Sequence, residues 1–233
     1  MNTAERVLRG KKDLDDVLSS GRESGIREKW DKHIEALSNN AFTYGFAGKG
    51  WNDETFTPYT DIVMPTARNA GQVFAYSGIT DLKGILEKYG TTLDCKNALS
   101  TSSFFQYSLV TRVPEIVLER ATSISSMFSN ATELISIDKL TLPENCTLTS
   151  AFDKCASLTE IRIGGKISNS LDIHWSPLSK DSVEDIVNAL SDSATGKTIT
   201  FNKTQIETLD GNSTWWADLT VPKPNWTFAL SDV

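Results

Sequence analysis

The chain has 233 residues, of which 39% are apolar and 23% charged, and its formal net charge is −7. This composition is typical of a folded globular protein and unlike that of a disordered chain. The acidic balance disfavours nucleic-acid binding, which needs clustered Lys and Arg, and the short apolar runs predict no membrane insertion.

Residues 1–40 are predicted to form a helical arm for docking or oligomerisation. Apolar residues recur there at intervals of three and four between many charged residues. A narrow apolar stripe on a polar helix favours packing on a partner or on copies of the same chain. The alternative left open is that the helix lies on its own domain. The candidate docking residues are Leu14, Val17, Leu18, Ile26, Trp30 and Ile34.

Residues 41–166 carry a repeated pattern. After Phe128 a Leu follows six residues on and an Ile three further, and FDKCASLTEIRI repeats both intervals after Phe152. Upstream, FAYSGITDL and FQYSLVTRV share a shortened form that begins at Phe74 and Phe105. A nearly fixed period is typical of stacked supersecondary units with a continuous core. The predicted core residues are Phe74, Phe105, Phe128, Leu134, Ile137, Phe152, Leu158 and Ile161.

Two helices are predicted beside and after these units. DLKGILEKYG has apolar residues at helical spacing before Gly90, which predicts a helix that stops there. In residues 167–233, Ser179 or Ser182 can serve as the N-cap of a second helix. A strand-like KTITF and a Trp-rich tail follow, so residues 167–233 are predicted to form a C-terminal αβ cap.

The segment Ala151 to Ile163, AFDKCASLTEIRI, resembles the BspA-type leucine-rich repeat, and Met127 to Ile137 is a looser copy with Ala131 where Cys is frequent. The segment that begins HWSPLSKDSVEDIVNALSD is similar to C-terminal segments of repeat proteins from gut Firmicutes, Bacteroidetes and their phages and prophages. The resemblance covers about residues 40–233, although the first two rungs lack the Cys. We therefore expect an α/β fold, a leucine-rich-repeat solenoid of about four irregular rungs between the helical arm and the αβ cap.

The resemblance implies recognition, because BspA-like repeats occur in surface adhesins and in phage structural or tail-associated proteins. We expect a non-enzymatic phage or prophage virion protein (fibre, decoration or tail-associated), made in the bacterial cytoplasm. It would display the repeats for recognition of a protein or host-surface glycan. Its expected partners are other virion proteins or copies of itself, bound through the arm.

The alternative is a bacterial cell-surface BspA-like adhesin or host-interaction module. A typical adhesin of this kind carries a secretion signal and a surface anchor. The polar start MNTAERVLRGKK lacks the apolar core of such a signal, which favours the virion interpretation.

Neither catalytic nor metal-binding motifs are recognised, so the sequence predicts a protein that is not an enzyme and has no cofactor. The three cysteines, Cys95, Cys146 and Cys155, have no zinc or disulfide spacing. A carbohydrate-active enzyme with an unrecognised carboxylate pair is a third hypothesis. Aromatic side chains are the candidate binding contacts, with the alternative that half or more lie in the core. They are Tyr44, Phe46, Trp51, Tyr76, Tyr107, Trp215 and Trp216.

Overall fold

A computed structural model describes residues 24–35, 44–64, 70–211 and 213–233. The described helices are α1 (residues 24–35), α2 (Leu82–Tyr89), α3 (Lys180–Ala189), α4 (Lys203–Asp210) and α5 (Trp215–Thr220). The described strands are β1 (Ile62–Val63), β2 (Leu93–Asp94), β3 (Arg112–Val113), β4 (Ile116–Val117), β5 (Ser136–Leu142), β6 (Glu160–Gly165), β7 (Leu171–Asp172), β8 (Lys197–Asn202) and β9 (Trp226–Ser231).

These strands form three small parallel sheets of two, four and three strands within the described ranges. β1 pairs with β2, and β8 pairs with β7 and β9. β5 pairs with β6 and with the short strands β3 and β4. Its Ile137 is in register with Val113, 24 residues earlier, and with Ile161, 24 residues later. Equivalent residues of successive sequence units are therefore neighbours.

The prediction of a leucine-rich-repeat solenoid of about four rungs is wrong as a description of this fold. The structure is mixed α/β, with short helices and separate small parallel sheets, and five of the nine described strands are only two residues long. The overall α/β class is compatible with the prediction. A physical reason for the short strands is that residues such as Ser103 and Ser126 have positive φ, which lies outside the β region.

A column of stacked aromatic rings runs through the core. Neighbouring ring centroids are 5.2–5.6 Å apart and their planes differ by 5–21°. This offset stacking is favourable beyond the gain from burial. The ring column consists, in order, of Trp30, Phe46, Phe74, Phe105, Phe128 and Phe152, all of them buried. The other predicted core residues, Leu134, Ile137, Leu158 and Ile161, are buried as well. We call each segment around one of these phenylalanines a unit.

Helix α3 covers the edge of β6. Ser179 is its N-cap and accepts a hydrogen bond from the backbone N–H of Ser182. On β6, the N–H of Ile161 donates to Ser182 Oγ at 2.9 Å, and the N–H of Ile163 donates to Asp185 Oδ2 at 2.5 Å. Because an open strand edge presents unpaired N–H groups to other chains, these side chains protect the sheet.

No helix among the described residues is both long enough and apolar enough to cross a bilayer.

Three buried serine hydroxyls among the described residues, those of Ser77, Ser108 and Ser168, lack a hydrogen-bond partner. Ser77 and Ser108 lie three residues after Phe74 and Phe105. A buried hydroxyl without a partner costs about 1–3 kcal/mol. We therefore expect Ser108→Ala to raise the free energy of unfolding by about 1 kcal/mol, measured by urea denaturation.

The matched control for this prediction is Ser176→Ala. Ser176 is also buried, but its Oγ donates to the carbonyl oxygen of Cys155 at 3.2 Å. Removing this donor should lower the free energy of unfolding by about 1 kcal/mol. Equal losses in both variants would mean that Ser108 has a partner in solution, and would contradict the prediction.

Candidate aromatic binding surface

Each unit places residues with left-handed backbone conformation on both sides of its buried phenylalanine. The φ values two residues before and two residues after the last four phenylalanines lie between 52° and 60°. The preceding residues are Gln72, Ser103, Ser126 and Ser150, and the following ones are Tyr76, Tyr107, Asn130 and Lys154. In the first unit Gly48, with φ of 88°, lies two residues after Phe46. Glycine is the residue that adopts this conformation most readily.

Backbone hydrogen bonds hold the residues that follow the phenylalanines in register. The N–H of Gly48 donates to Ala75 O at 2.8 Å, the residue just before Tyr76. The N–H of Tyr76 donates in the same way to Gln106 O at 2.9 Å, just before Tyr107. Gly48, Tyr76 and Tyr107 are therefore equivalent positions in three successive units.

Tyr76 and Tyr107 form an exposed aromatic pair. Their ring centroids are 5.0 Å apart and their planes differ by only 8°. In contrast to the ring column, these two side chains remain 51% and 46% exposed. The tyrosine pair therefore offers an ordered apolar surface with phenolic hydroxyls, which suits contact with a ligand.

The candidate binding residues near the N-terminal end, Tyr44, Phe46 and Trp51, are not part of the tyrosine pair. Phe46 is fully buried in the ring column, so it belongs to the core and has no surface for a ligand. Trp51 is half-buried and its ring contacts those of Phe46 and His33. Tyr44 is exposed but lies two residues before its phenylalanine, whereas the tyrosines of the pair lie two residues after theirs.

The two candidate tryptophans of α5 pack on the C-terminal part of the chain. Trp215 is half-buried, donates through Nε1 to Glu184 Oε1 at 2.7 Å, and has Lys180 Nζ 4.8 Å from its ring centroid. Trp216 is half-buried and packs edge-on against Phe201 and Phe228. Neither tryptophan is brought together with the tyrosine pair by any described contact.

Three of the six candidate docking residues lie on α1, and the other three lie outside the described residues. Leu14, Val17 and Leu18 lie outside the described residues. Ile26 and Ile34 are half-buried on α1, while Trp30 is the first ring of the buried column.

Sequence reasoning missed Gly48 and the unit to which it belongs. The predicted repeat begins at Phe74, although Phe46 in the segment YGFAGKG precedes Phe74 by 28 residues, close to the spacing of the later units. That spacing is the signal that could have assigned Phe46 to the core.

A cleft of about 360 Å³ lies beside α2. Apolar side chains such as Leu86 and Val117 line it together with charged ones. Among the charged residues, Lys83 Nζ lies 2.9 Å from Asp138. The cleft therefore combines an apolar wall with a rim at which opposite charges neutralise each other.

The start of α2 is fixed by an ion pair. Asp81 accepts hydrogen bonds from Arg112 and from the backbone N–H of Gly84. Partial burial raises the pKa of Asp81, but these hydrogen bonds and the positive charges lower that pKa by more, so the net shift is downward. Gly84 is needed here because a Cβ on it would collide with the Asp81 carboxylate.

The three thiols are buried and are expected to react slowly. Burial raises the pKa of Cys95 and of Cys155 far above the ordinary range, and raises the pKa of Cys146 to about 11. Because the thiolate is the nucleophile, iodoacetamide should modify Cys146 first, at a rate that grows with pH up to about 11. Mass spectrometry of timed digests measures the order. Modification of Cys95 before Cys146 in the folded protein would contradict the prediction.

Comparison with known proteins does not extend these observations. A scan against protein-family models found no match, and neither a search of curated proteins nor a search of solved structures found one. In the described ranges, no group of three or more His, Cys, Asp or Glu side chains could hold a metal ion.

Proposed function

We propose that the protein is a non-enzymatic phage or prophage virion protein whose tyrosine pair contacts a protein or glycan on the host surface. The observation that carries the recognition part is the exposed, stacked pair Tyr76 and Tyr107 at equivalent positions of successive units. Exposed aromatic residues held in a fixed arrangement supply a large contact area at low entropic cost to a partner.

The backbone conformation strengthens this argument. A non-glycine residue in the left-handed region costs about 1–2 kcal/mol, and stacking of the two rings returns about 0.5–1.5 kcal/mol. Asn130 occupies the next equivalent position, and Asn adopts this conformation more readily than Tyr. Tyrosine at positions 76 and 107 is therefore not the choice that favours folding most, and contact with a ligand would give the two rings a role beyond folding.

The virion assignment is supported by the residue pattern of Ala151 to Ile163, which resembles repeats found in phage structural proteins. In this proposal the N-terminal arm contacts other virion proteins or further copies of the chain. A bacterial surface adhesin that uses the same tyrosine pair is the competing assignment.

Localisation tests the virion assignment. Phage particles are induced from the encoding strain, purified on a density gradient and analysed by mass spectrometry beside the washed cell envelope. We expect the protein to be enriched with the particles. Enrichment in the envelope alone would support the adhesin, and absence from both fractions would contradict both assignments.

Binding to host cells tests the recognition part. Fluorescently labelled protein is measured on cells by flow cytometry, with the double variant Tyr76→Ala, Tyr107→Ala beside the wild type. Loss of the two rings should reduce binding at least about tenfold, which is the effect of removing about 1.4 kcal/mol. Tyr44→Ala removes an exposed tyrosine outside the pair and should bind like the wild type. Equal binding by all three proteins would refute a role for the pair.

A further inference from the structure

The tyrosine pair does not extend to the first unit, which has Gly48 at the position equivalent to Tyr76 and Tyr107. The hydrogen-bond register places Gly48 next to Tyr76, on the side away from Tyr107. A Cβ built on Gly48 would have no heavy atom within 4 Å apart from those of the adjacent Ala47 and Lys49. One face of the Tyr76 ring is covered by Tyr107, and Gly48, at the equivalent position on the other side, has no side chain that could cover the second face.

The size of this space follows from the spacing of the units. Parallel neighbours are about 4.8 Å apart, and the rings of the tyrosine pair follow that spacing with 5.0 Å between centroids. One further ring above Gly48 would continue the stack at the same distance.

The chemistry of the place favours a saccharide over an aromatic side chain. A ring above Gly48 would stack on Tyr76 through one of its faces, because Gly48 has no side chain to contact the other face. An aromatic side chain of a partner would keep its second face hydrated and lose the gain of full burial. A pyranose has one apolar C–H face and a rim of hydroxyls that stay solvated or bond to polar groups, such as the exposed Lys49.

We propose that Gly48 and the outer face of Tyr76 form a stacking subsite for one sugar ring of a glycan. The proposal rests on the recognition function above and names its ligand class. Gly48 acts by lacking a side chain, and Tyr76 by offering its free face.

Saturation-transfer difference NMR tests the subsite, with methyl β-D-glucopyranoside and methyl β-D-galactopyranoside as probes. Transfer should be strongest to the protons of one ring face. Tyr76→Leu keeps an apolar side chain but removes the ring, and Gly48→Asn fills the space with a residue that tolerates positive φ. Each variant should lower the transfer at least about fivefold, because the single stacking contact is lost. Tyr44→Ala should leave it unchanged.

Circular dichroism establishes that each variant is folded before its transfer is compared. If neither glycoside receives saturation from the wild type, or if transfer survives in both variants, the saccharide subsite is refuted. The cell-binding experiment separates the two proposals. Cell binding that depends on the tyrosine pair, without glycoside contact, would leave recognition standing with a protein ligand. Glycoside contact at Tyr76 without cell binding would refute host recognition and support the subsite.

Discussion

Phe105→Ala is expected to lower the free energy of unfolding by about 3–5 kcal/mol, the cost of removing a large buried aromatic side chain. Phe105 stacks between Phe74 and Phe128, with centroids 5.2 and 5.3 Å away, and is 1% exposed. Its loss creates a cavity and also removes stacking contacts with two neighbours. Because domains are stable by only about 5–15 kcal/mol, this variant should unfold at a much lower urea concentration.

Two control variants distinguish the loss of ring-column contacts from the loss of any aromatic side chain in this segment. Phe105→Leu retains much of the apolar volume and should lose less stability than Phe105→Ala. Tyr107→Ala removes the exposed ring two residues later and should cost no more than about 1.5 kcal/mol, its stacking contribution. If Tyr107→Ala destabilises as much as Phe105→Ala, the buried column is not the main source of stability.

The periodic phenylalanines predicted much of the core, since a residue that recurs with the period of stacked units occupies the same place in each. Phe105 and Phe128, 23 residues apart in the sequence, are in ring contact for this reason. Hydrogen-bond pairing could not be predicted in the same way. It depends on backbone conformation, and a serine such as Ser103 gives no sign in the sequence that it has positive φ. The strands are therefore shorter and the sheets more divided than the period indicates.

For the candidate site, the shared Phe-x-Tyr-Ser pattern identified Tyr76 and Tyr107 as candidates but not their exposure. Whether a tyrosine faces the core or water depends on the turn around it. Gly48 could not be recognised from that pattern, because its unit has Gly where the next two have Tyr. Gly48 contributes by placing no side chain beside the ring of Tyr76. Only the hydrogen-bond register between the units shows that these two residues are neighbours.

Trp30→Ala is the second substitution with a large expected effect, a loss of about 3–5 kcal/mol in the free energy of unfolding. The indole stacks on Phe46 with 5.6 Å between centroids, contacts Phe56 edge-on, and donates through Nε1 to Thr60 Oγ1 at 2.9 Å. These contacts are within one chain, so the loss should appear in a monomer. Thermal denaturation measures the stability, and light scattering after size exclusion measures the mass of the same samples.

The two interpretations of the arm give opposite results for this variant. If Trp30 docks on a partner or a second copy, its loss should change the mass in solution and leave the denaturation midpoint in place. If it caps the ring column, as its burial indicates, the midpoint falls and the mass is unchanged. Ile26→Ala is the control on the same helix, since Ile26 is half-buried and should cost much less stability than Trp30. A change of mass at constant stability in Trp30→Ala would show that the column ends at Phe46 and that Trp30 belongs to an interface.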